Sequence, residues 1–231
     1  MRLRRGLTAL LLVASAAIVT AQTPASAPPP AATDRVVYFE VAPAEIGRTA
    51  TVLKTYRQAA QKAAGVVRVQ VLQQIGRPNL FAIAEKWIDG AALQAQLASA
   101  DNKKLRDKLQ AALISPFDER LLATVTAQAA NRAASDQAIY VLTHADAAAR
   151  RDEIPGMLQE LATAARQENG NVLFDATVQP NRTNHFTLIE VWGDQKAHEG
   201  HQVAATTKKF RSAFGAVSGA LYDERIYKSL N

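Results

Sequence analysis

Apolar side chains in the second half of the chain predict a series of strands. Residues 138–144 (AIYVLTH), 171–179 (NVLFDATVQ) and 184–192 (NHFTLIEVW) are rich in β-branched and aromatic residues, which favour strands. The last two runs flank the turn sequence PNRT at 180–183, which is typical of a hairpin. A fourth run, 220–229 (ALYDERIYKS), predicts a closing strand.

Two helices are predicted between these strands. In 151–170 the apolar residues fall on one helical stripe, and the final Asn-Gly pair stands where a C-cap is expected. Asp152 is the predicted N-cap, because it leaves Pro155 in the first turn, where a missing N–H is tolerated. Residues 194–219 begin with an aspartate and are mostly helical in spacing. The predicted order is β-α-β-β-α-β, the ferredoxin-like unit.

The first half of the chain repeats this pattern. RPNLFAIAEKW at 77–87 and RTNHFTLIEVW at 182–192 match at an offset of 105, since 192 minus 87 is 105. FDERLL at 117–122 meets YDERIY at 222–227 at the same offset. The chain is therefore a tandem duplication.

The offset is predicted to change near the start of each repeat. There DRVVYFEV at 34–41 aligns with DQAIYVLT at 136–143, an offset of 102, since 136 minus 34 is 102. We expect a small insertion before the first helix of the second repeat to explain this change.

The two repeats predict how the chain folds. A four-stranded antiparallel sheet with two helices on one face leaves its other face uncovered, and two such units can bury these faces against each other. The predicted fold is α+β, with two tandem ferredoxin-like units whose antiparallel sheets pair. The predicted segments are a signal peptide (1–21), a Pro/Ala-rich tether (22–33), a degenerate first repeat (34–123), a linker (124–135) and a second repeat (136–231).

The N-terminal segment predicts export. It has three arginines, an apolar run at 7–19 and small residues before Ala21, the order of a secretory signal peptide. We expect cleavage after Ala21, with Ala27 as the alternative. The short apolar run disfavours an uncleaved membrane anchor. We therefore expect a periplasmic or secreted protein with no stable membrane span after cleavage. The absence of cysteine excludes disulfides and lipid attachment through an N-terminal cysteine.

The charge balance argues against a nucleic-acid partner. The formal net charge of +6 comes from 27 basic and 21 acidic residues. Three of the basic residues leave with the signal peptide, so 24 against 21 leaves +3 for the mature chain. This excess is too small to indicate a basic binding surface.

The quoted motifs carry a family resemblance. The β-α-β-β-α-β unit with NHFTLIEVW, a downstream histidine, KKFRSAF at 208–214 and the closing LYDERIY resembles the antibiotic biosynthesis monooxygenase domain. The resemblance covers most of the second repeat and, more loosely, the first. It implies a dimeric α/β barrel in which two sheets face each other. Here both sheets belong to one chain, so we expect a monomeric pseudo-dimer.

The resemblance also implies a chemistry. Some members oxygenate quinols or polycyclic phenols without metal or flavin, because the electron-rich substrate itself supplies electrons to O₂. The protein then binds a small aromatic substrate and handles a proton, a task suited to histidine. The catalytic positions implied are Asn184, Trp192 and His201. Relatives degrade haem with a comparable residue set, so haem is the alternative ligand; no other cofactor is expected.

Further residues are candidates for substrate binding in the second repeat: His144, His185, Phe186 and Phe210. All four histidines of the chain lie in this repeat, and His201 is matched by Gln96 in the first. Many family members carry a second helix histidine where this chain has Thr206. The histidine distribution predicts an intact site in the second repeat and a structural role for the first.

Structural explanations compete with each of these assignments. Trp192 recurs as Trp87, which favours shared packing, and Asn184 could simply fix the hairpin. His198 and His201 could lie on a solvated helix face. The HEGH spacing differs from the zincin motif and has no evident third ligand, so we expect no metal. A non-catalytic binding module therefore remains an alternative to an enzyme.

Overall fold

The computed structural model describes residues 33–128 and 133–231. The predicted signal peptide and nearly all of the predicted tether lie outside the described residues, as do residues 129–132 of the predicted linker. None of the helices in the described part of the chain is long and apolar enough to span a membrane.

The predicted β-α-β-β-α-β order is present in both repeats. The first repeat contains β1 (Asp34–Glu40), α1 (Ile46–Ala60), β2 (Val66–Gln74), β3 (Leu80–Trp87), α2 (Gly90–Leu97), α3 (Ala100–Leu109) and β4 (Asp118–Thr126). The second contains β5 (Ile139–Asp146), α4 (Ile154–Ala165), β6 (Asn171–Gln179), β7 (Arg182–Trp192), α5 (Gln195–Val203), α6 (Ala205–Gly215) and β8 (Asp223–Ser229). The second helix of each unit is thus divided into two segments.

The helix starts partly match the sequence signals. Asp194 caps α5, because its side chain accepts a hydrogen bond from the N–H of Ala197. The prediction that Asp152 caps α4 is wrong: Glu153 holds that position without a side-chain cap bond, and Pro155 does lie in the first turn. Helix α4 ends at Ala165, earlier than the Asn-Gly pair suggested. Gly170 instead has a φ of 81° in the turn into β6, a conformation that favours glycine.

The eight strands form one closed antiparallel barrel in the order β1-β3-β2-β8-β5-β7-β6-β4. Each repeat contributes four neighbouring strands, and the two sheets join where β2 pairs with β8 and where β4 pairs with β6. This arrangement confirms the predicted fold, two ferredoxin-like units whose sheets pair within one chain. Strand β4 continues to Thr126, which lies within the predicted linker.

Three apolar clusters fill the molecule. One contains buried residues from all eight strands and from none of the helices, so it is the barrel interior. The other two each combine the helices of one repeat with the outer face of its own sheet. Alternation along β1 shows the division, since Val36 and Tyr38 belong to the interior cluster and Val37 and Phe39 to the outer one.

Strand register corrects the predicted alignment of the first strands. Tyr38 lies opposite Asp118, and His144 lies opposite Asp223, the residue that matches Asp118. Tyr38 and His144 are therefore equivalent, and the offset there is 106, since 144 minus 38 is 106. The predicted offset of 102, and the insertion proposed to explain it, are wrong. The offset of 102 rests on the similarity of two short apolar strands. The register in which those strands pair cannot be seen in a sequence.

We predict that an isolated fragment of residues 135–231 self-associates. On its own it would expose the interior face of its sheet and the open edges of β6 and β8, which the first repeat covers in the full chain. Light scattering at micromolar concentration should give the mass of a dimer for the fragment and of a monomer for the full mature chain. A fragment that is folded and strictly monomeric would contradict this pairing.

Candidate functional site

The candidate site begins with two neighbouring residues on the outer face of β7. Glu190 and Trp192 lie on the side of the strand that faces the helices, because residues two apart in a strand point the same way. Both are buried, and the indole Nε1 of Trp192 donates a 3.0 Å hydrogen bond to Glu190 Oε2. The carboxyl group of Glu190 is therefore inside the protein, between sheet and helices.

Helix α5 places His201 over this pair. The imidazole stacks on the indole of Trp192 with ring centroids 4.6 Å apart, and only 4% of His201 is exposed. Its Nδ1 lies 2.9 Å from Glu168 Oε2, and its Nε2 lies 3.8 Å from Glu190 Oε2. When the ring proton lies on Nδ1, this N–H donates a hydrogen bond to Glu168 Oε2, and Nε2 is left as an acceptor. The basic nitrogen of His201 then faces Glu190.

Burial sets the protonation states of these groups. Removal from water raises the pKa of Glu190 to about 8, while the hydrogen bond from Trp192 opposes the rise. Burial also lowers the pKa of His201, against the opposing charge of Glu168. At neutral pH both groups are therefore mainly uncharged, and Glu190 titrates close to neutrality.

The equivalent carboxylate of the first repeat is compensated differently. Glu85 lies cross-strand from Arg35, whose Nη1 is 3.4 Å from Glu85 Oε2, and it also accepts hydrogen bonds from Tyr56 and Trp87. In the second repeat the residue cross-strand from Glu190 is Val141. Glu85 thus has a buried cation as partner, whereas Glu190 faces a hydrocarbon side chain.

Other groups around Glu190 also lack titratable counterparts in the first repeat. At the offset of 105, His201 is matched by Gln96, Glu168 by Ala63 and Tyr222 by Phe117. Gln96 donates a hydrogen bond to Tyr56 and so completes the network around Glu85. The first repeat has therefore kept the buried carboxylate but surrounded it with fixed partners.

A second set of polar groups near Glu190 includes Arg211 and Glu224, whose charges act on its carboxyl group. Arg211 donates a 2.8 Å hydrogen bond to Glu224, which also accepts from Gln202 and lies 3.6 Å from His198. Burial opposes ionisation of Glu224, but the contacts with His198 and Arg211 hold its pKa below the usual value. Burial, and next the charge of Glu190, raise the pKa of Tyr222.

Two openings flank this buried network. A pocket of about 360 Å³ is lined mainly by apolar groups between α6 and β8, and it includes the side chains of Arg211, Phe214, Leu221, Tyr222 and Glu224. A second, more open depression of about 680 Å³ is lined by residues that precede β6 and by residues of α5, among them Glu168 and His201.

The structure brings two of the three predicted catalytic residues together. Trp192 and His201 are in contact, but the indole is fully buried beneath the imidazole. Asn184 lies eight residues earlier on β7, about 26 Å away at roughly 3.3 Å per residue, and donates a hydrogen bond to the carbonyl of Ala147. Its contact is with the backbone that follows β5.

The predicted substrate-binding residues are dispersed. His144 is inside the barrel beside Arg120, and burial, with the charges of Arg120 and Arg225, lowers its pKa to about 3. His185 pairs with Asp146 at 2.9 Å, near the start of β7. Phe186 and Phe210 belong to the core of the second repeat. Of these residues, only Phe210 approaches the pocket, with its ring 6.4 Å from that of Tyr222.

Sequence reasoning missed Glu190, Glu168 and Tyr222. A signal for Glu190 was present, because an acidic residue within an apolar strand shares its face with Phe186, Leu188 and Trp192. The alternative that His198 lies on a solvated face is wrong, since it is 3% exposed. Within residues 33–128 and 133–231, no group of three or more His, Asp or Glu side chains is arranged to hold a metal ion.

We predict that Glu190→Gln removes a pH dependence of stability. Because the pKa is 4.5 for an ordinary glutamate and about 8 here, the unfolded chain loses this proton first as pH rises. Protonated Glu190 therefore contributes its full stability below about pH 4.5, and this contribution, roughly 5 kcal/mol, is lost as pH rises to about 8. In urea unfolding experiments, the free energy of unfolding of the variant should increase relative to that of the wild type as pH rises across this window.

The control for this prediction is Glu85→Gln. It should destabilise the protein by about 3–5 kcal/mol, because it removes one charged partner of the buried Arg35. A Glu190→Gln variant with the same pH dependence as the wild type would contradict the assigned ionisation.

Comparison with known structures supports the fold. A putative monooxygenase from Fusobacterium nucleatum superposes with a TM-score of 0.77 at 16% identity, covering 87% of this chain and 94% of that one. One from Lactobacillus acidophilus gives 0.72 at 10% identity, covering 87% and 95%. An anthrone oxidase-like protein gives 0.57 at 12% identity, covering 87% and 92%. At these identities the likeness shows a common fold. No curated protein matches the sequence significantly.

A family model matches the sequence in both repeats, at residues 35–108 and 124–213, and its description is antibiotic biosynthesis monooxygenase. The two matched segments together cover more than half of the chain, and each lies mostly within one unit of the barrel. At the level of the family, this match supports a monooxygenase-like function. The chain belongs to the antibiotic biosynthesis monooxygenase family, as a tandem duplication of its domain.

Proposed function

We propose that the protein is an exported, cofactor-independent monooxygenase that oxidises quinol-like or polycyclic phenolic substrates in the second repeat. The observation that carries this proposal is the uncompensated carboxyl group of Glu190, which titrates near pH 8 beside a buried histidine. In the first repeat, the same carboxyl group faces Arg35 instead. A general base is most effective when its pKa lies near the working pH.

The substrate would occupy the 360 Å³ pocket between α6 and β8. Phe214 and Leu221 offer apolar surface to an aromatic ring system. Arg211, which lies over the ring of Tyr222 at 5.3 Å, supplies a cation that would stabilise a phenolate. The pocket therefore combines a ring-binding surface with a group that favours loss of the phenolic proton.

The proton would then travel inward. Tyr222 would connect the pocket with Glu190, since it lines the pocket and the charge of Glu190 contributes to its raised pKa. From Glu190 the proton would pass to Nε2 of His201 and leave through Glu168, which is 22% exposed. The 3.8 Å from His201 to Glu190 exceeds a hydrogen bond, and catalytic contacts commonly tighten when substrate binds.

Loss of that proton prepares the substrate for O₂. The phenolate gives one electron to O₂, and the two radicals combine to form a carbon–oxygen bond at a conjugated ring methylene. The resulting peroxide takes up a proton, and loss of the remaining C–H proton with cleavage of the O–O bond releases water and leaves a carbonyl. All four electrons come from the substrate, and one oxygen atom ends in the product and one in water. An anthrone has such a methylene, and the anthrone oxidase-like protein shares this fold.

The geometry gives less support to the two alternatives, a haem protein and a non-catalytic binding module. For haem, the described histidines provide no supporting feature, because both ring nitrogens of His201 face carboxyl groups and His144 lies inside the barrel. A binding module that does no chemistry would not need the unpaired Glu190, whose burial destabilises the fold above its pKa.

Export rests on the signal-like sequence at 1–21, and a monomeric state rests on barrel closure within one chain.

We predict that His201→Ala lowers turnover of a quinol substrate by roughly 10²-fold, a typical effect of losing a proton-transfer group. Gln96→Ala, its counterpart in the first repeat, should change turnover little, because Gln96 carries no titratable proton. Oxygen uptake with a quinol panel, and far-UV circular dichroism to verify folding, provide the measurements. Equal losses in both variants, or undiminished uptake in His201→Ala, would remove the proposed site.

A pH profile tests Glu190 directly. Since a general base must be ionised, kcat/KM should rise with pH through about 8 in the wild type. Glu190→Gln should lower kcat/KM and abolish this rise, while a rise due to ionisation of the substrate itself would persist. A profile of the same shape in both proteins would exclude Glu190 as the base.

A further inference from the structure

Strand β2 has an edge that is only partly paired. Its pairing with β8 is limited to Leu72, Gln73 and Gln74, followed by one bond from the N–H of Leu230 to the carbonyl of Val71. Alternate residues of an antiparallel strand direct their backbone groups to the same neighbour. Val69 therefore directs its N–H and C=O toward the open side, where β8 supplies no partner.

The second repeat shows which chemical group fits this edge. By the offset of 105, Val172 and Phe174 of β6 are equivalent to Val67 and Val69. There the side chain of Gln128 fills the space: its Nε2 donates to the carbonyl of Val172 at 3.1 Å, and its Oε1 accepts from the N–H of Phe174 at 3.3 Å. A carboxamide is thus the natural complement of this backbone pair.

Beside the corresponding edge of β2 there is a cavity of about 440 Å³, the β2-edge cavity. Its walls include Val67 and Val69 from β2, Leu173 and Val191 from strands across the barrel, and Arg57 from α1. The cavity therefore reaches from the strand edge into the barrel interior. Its volume is in the range of small-molecule sites.

Two polar side chains in this cavity each have a buried atom without a hydrogen-bond partner among the described residues. Arg57 donates a 3.5 Å hydrogen bond from Nη1 to the carbonyl of Leu230, but within the described part of the chain no carboxylate pairs with it, and its buried Nε has no hydrogen-bond partner. The buried Oε1 of Gln70 also has none among these residues. Arg57 is matched by Ala162 in the second repeat, so the cation is specific to this side of the barrel. A guanidinium without a carboxylate partner in a partly apolar cavity favours an anionic ligand.

We propose that the β2-edge cavity binds an N-acyl amino acid. The amide of the ligand would pair with the carbonyl of Val67 and the N–H of Val69, as Gln128 does with the equivalent groups of β6. The carboxylate would bind Arg57, and an aliphatic side chain would lie against Leu173 and Val191. The carboxyl end of an extended peptide offers the same chemistry.

This site is separate from the proposed oxygenase site. Val191 lines the cavity from the inner face of β7, whereas Glu190 and Trp192 project from the outer face toward the helices. Ligand binding can therefore be measured by NMR chemical-shift changes and oxygenation by O₂ uptake. Failure of one proposal leaves the other unaffected.

The test uses N-acetyl-L-leucine with the full mature chain. Two analogues isolate the proposed contacts: N-acetyl-L-leucinamide lacks the negative charge, and 2-acetoxy-4-methylpentanoate has an ester oxygen in place of the amide N–H. We expect the affinity of each analogue to be lower than that of N-acetyl-L-leucine by about tenfold or more, because hydrogen bonds to charged or buried groups have effects of that size. Chemical-shift changes should centre on Val69, Gln70 and Leu173.

Three variants complete the test. Arg57→Gln should weaken binding of N-acetyl-L-leucine about tenfold or more. Arg48→Gln removes the same charge from an exposed position on the same helix, and should leave binding unchanged. Val67→Trp would block the cavity from a residue that is 47% exposed, so the fold should tolerate it while binding is lost.

Some outcomes would overturn the proposal. They are an absence of binding at millimolar N-acetyl-L-leucine, equal binding of the acid and its amide, and equal effects of the two arginine variants. N-acetyl-Ala-Ala-Leu identifies the source of the ligand. If this peptide binds more tightly than N-acetyl-L-leucine, the natural ligand is a peptide that continues along the strand edge. If the two affinities are equal, the acyl amino acid is the whole ligand.

Discussion

The inner faces of two four-stranded sheets have to be removed from water, and barrel closure is how this chain meets that constraint. Each repeat covers one face of its sheet with its own helices, but the residues of the other face remain apolar. Only the second sheet can cover them, through the β2–β8 and β4–β6 pairings. Burial of this shared interior makes the repeats interdependent, and every other feature of the molecule is built on that frame.

Barrel closure also places equivalent residues near one axis. Strands β1 and β5 occupy opposite positions in the ring, and the rings of Tyr38 and His144 meet with centroids 5.1 Å apart. Arg68 reaches across to the carboxylate of Asp175 on the opposing β6, at 2.9 Å. The interior thus combines an apolar core with polar contacts that link the two repeats.

Covalent duplication allows the two repeats to differ where a homodimer could not. A buried carboxyl group is costly unless a cation compensates it or it takes up a proton. The first repeat uses the cation, Arg35, and its network is fixed. The second repeat keeps the carboxyl group of Glu190 opposite Val141, which raises its pKa toward neutrality. One repeat can then stabilise the barrel while the other retains a group able to exchange protons.

The sequence alone determined the duplication, the order of elements, the α+β class and the pairing of two sheets. Periodicity and repeated motifs carry this information, because both are local or recur at a fixed offset. It also indicated Trp192 and His201, which the structure brings into contact. Asn184 was grouped with them although it lies at the other end of β7, since a shared motif does not report distance along a strand.

Tertiary structure decided which residues surround Glu190. Glu168 follows α4 and Tyr222 precedes β8, so neither is near Glu190 in the sequence, and only packing of the helices on the sheet brings them together. Register decided that Tyr38 corresponds to His144 and that Arg35 corresponds to Val141. A one-residue change of register exchanges the two faces of a strand, and hydrogen bonding between strands, rather than any local pattern, selects the register that buries both faces correctly.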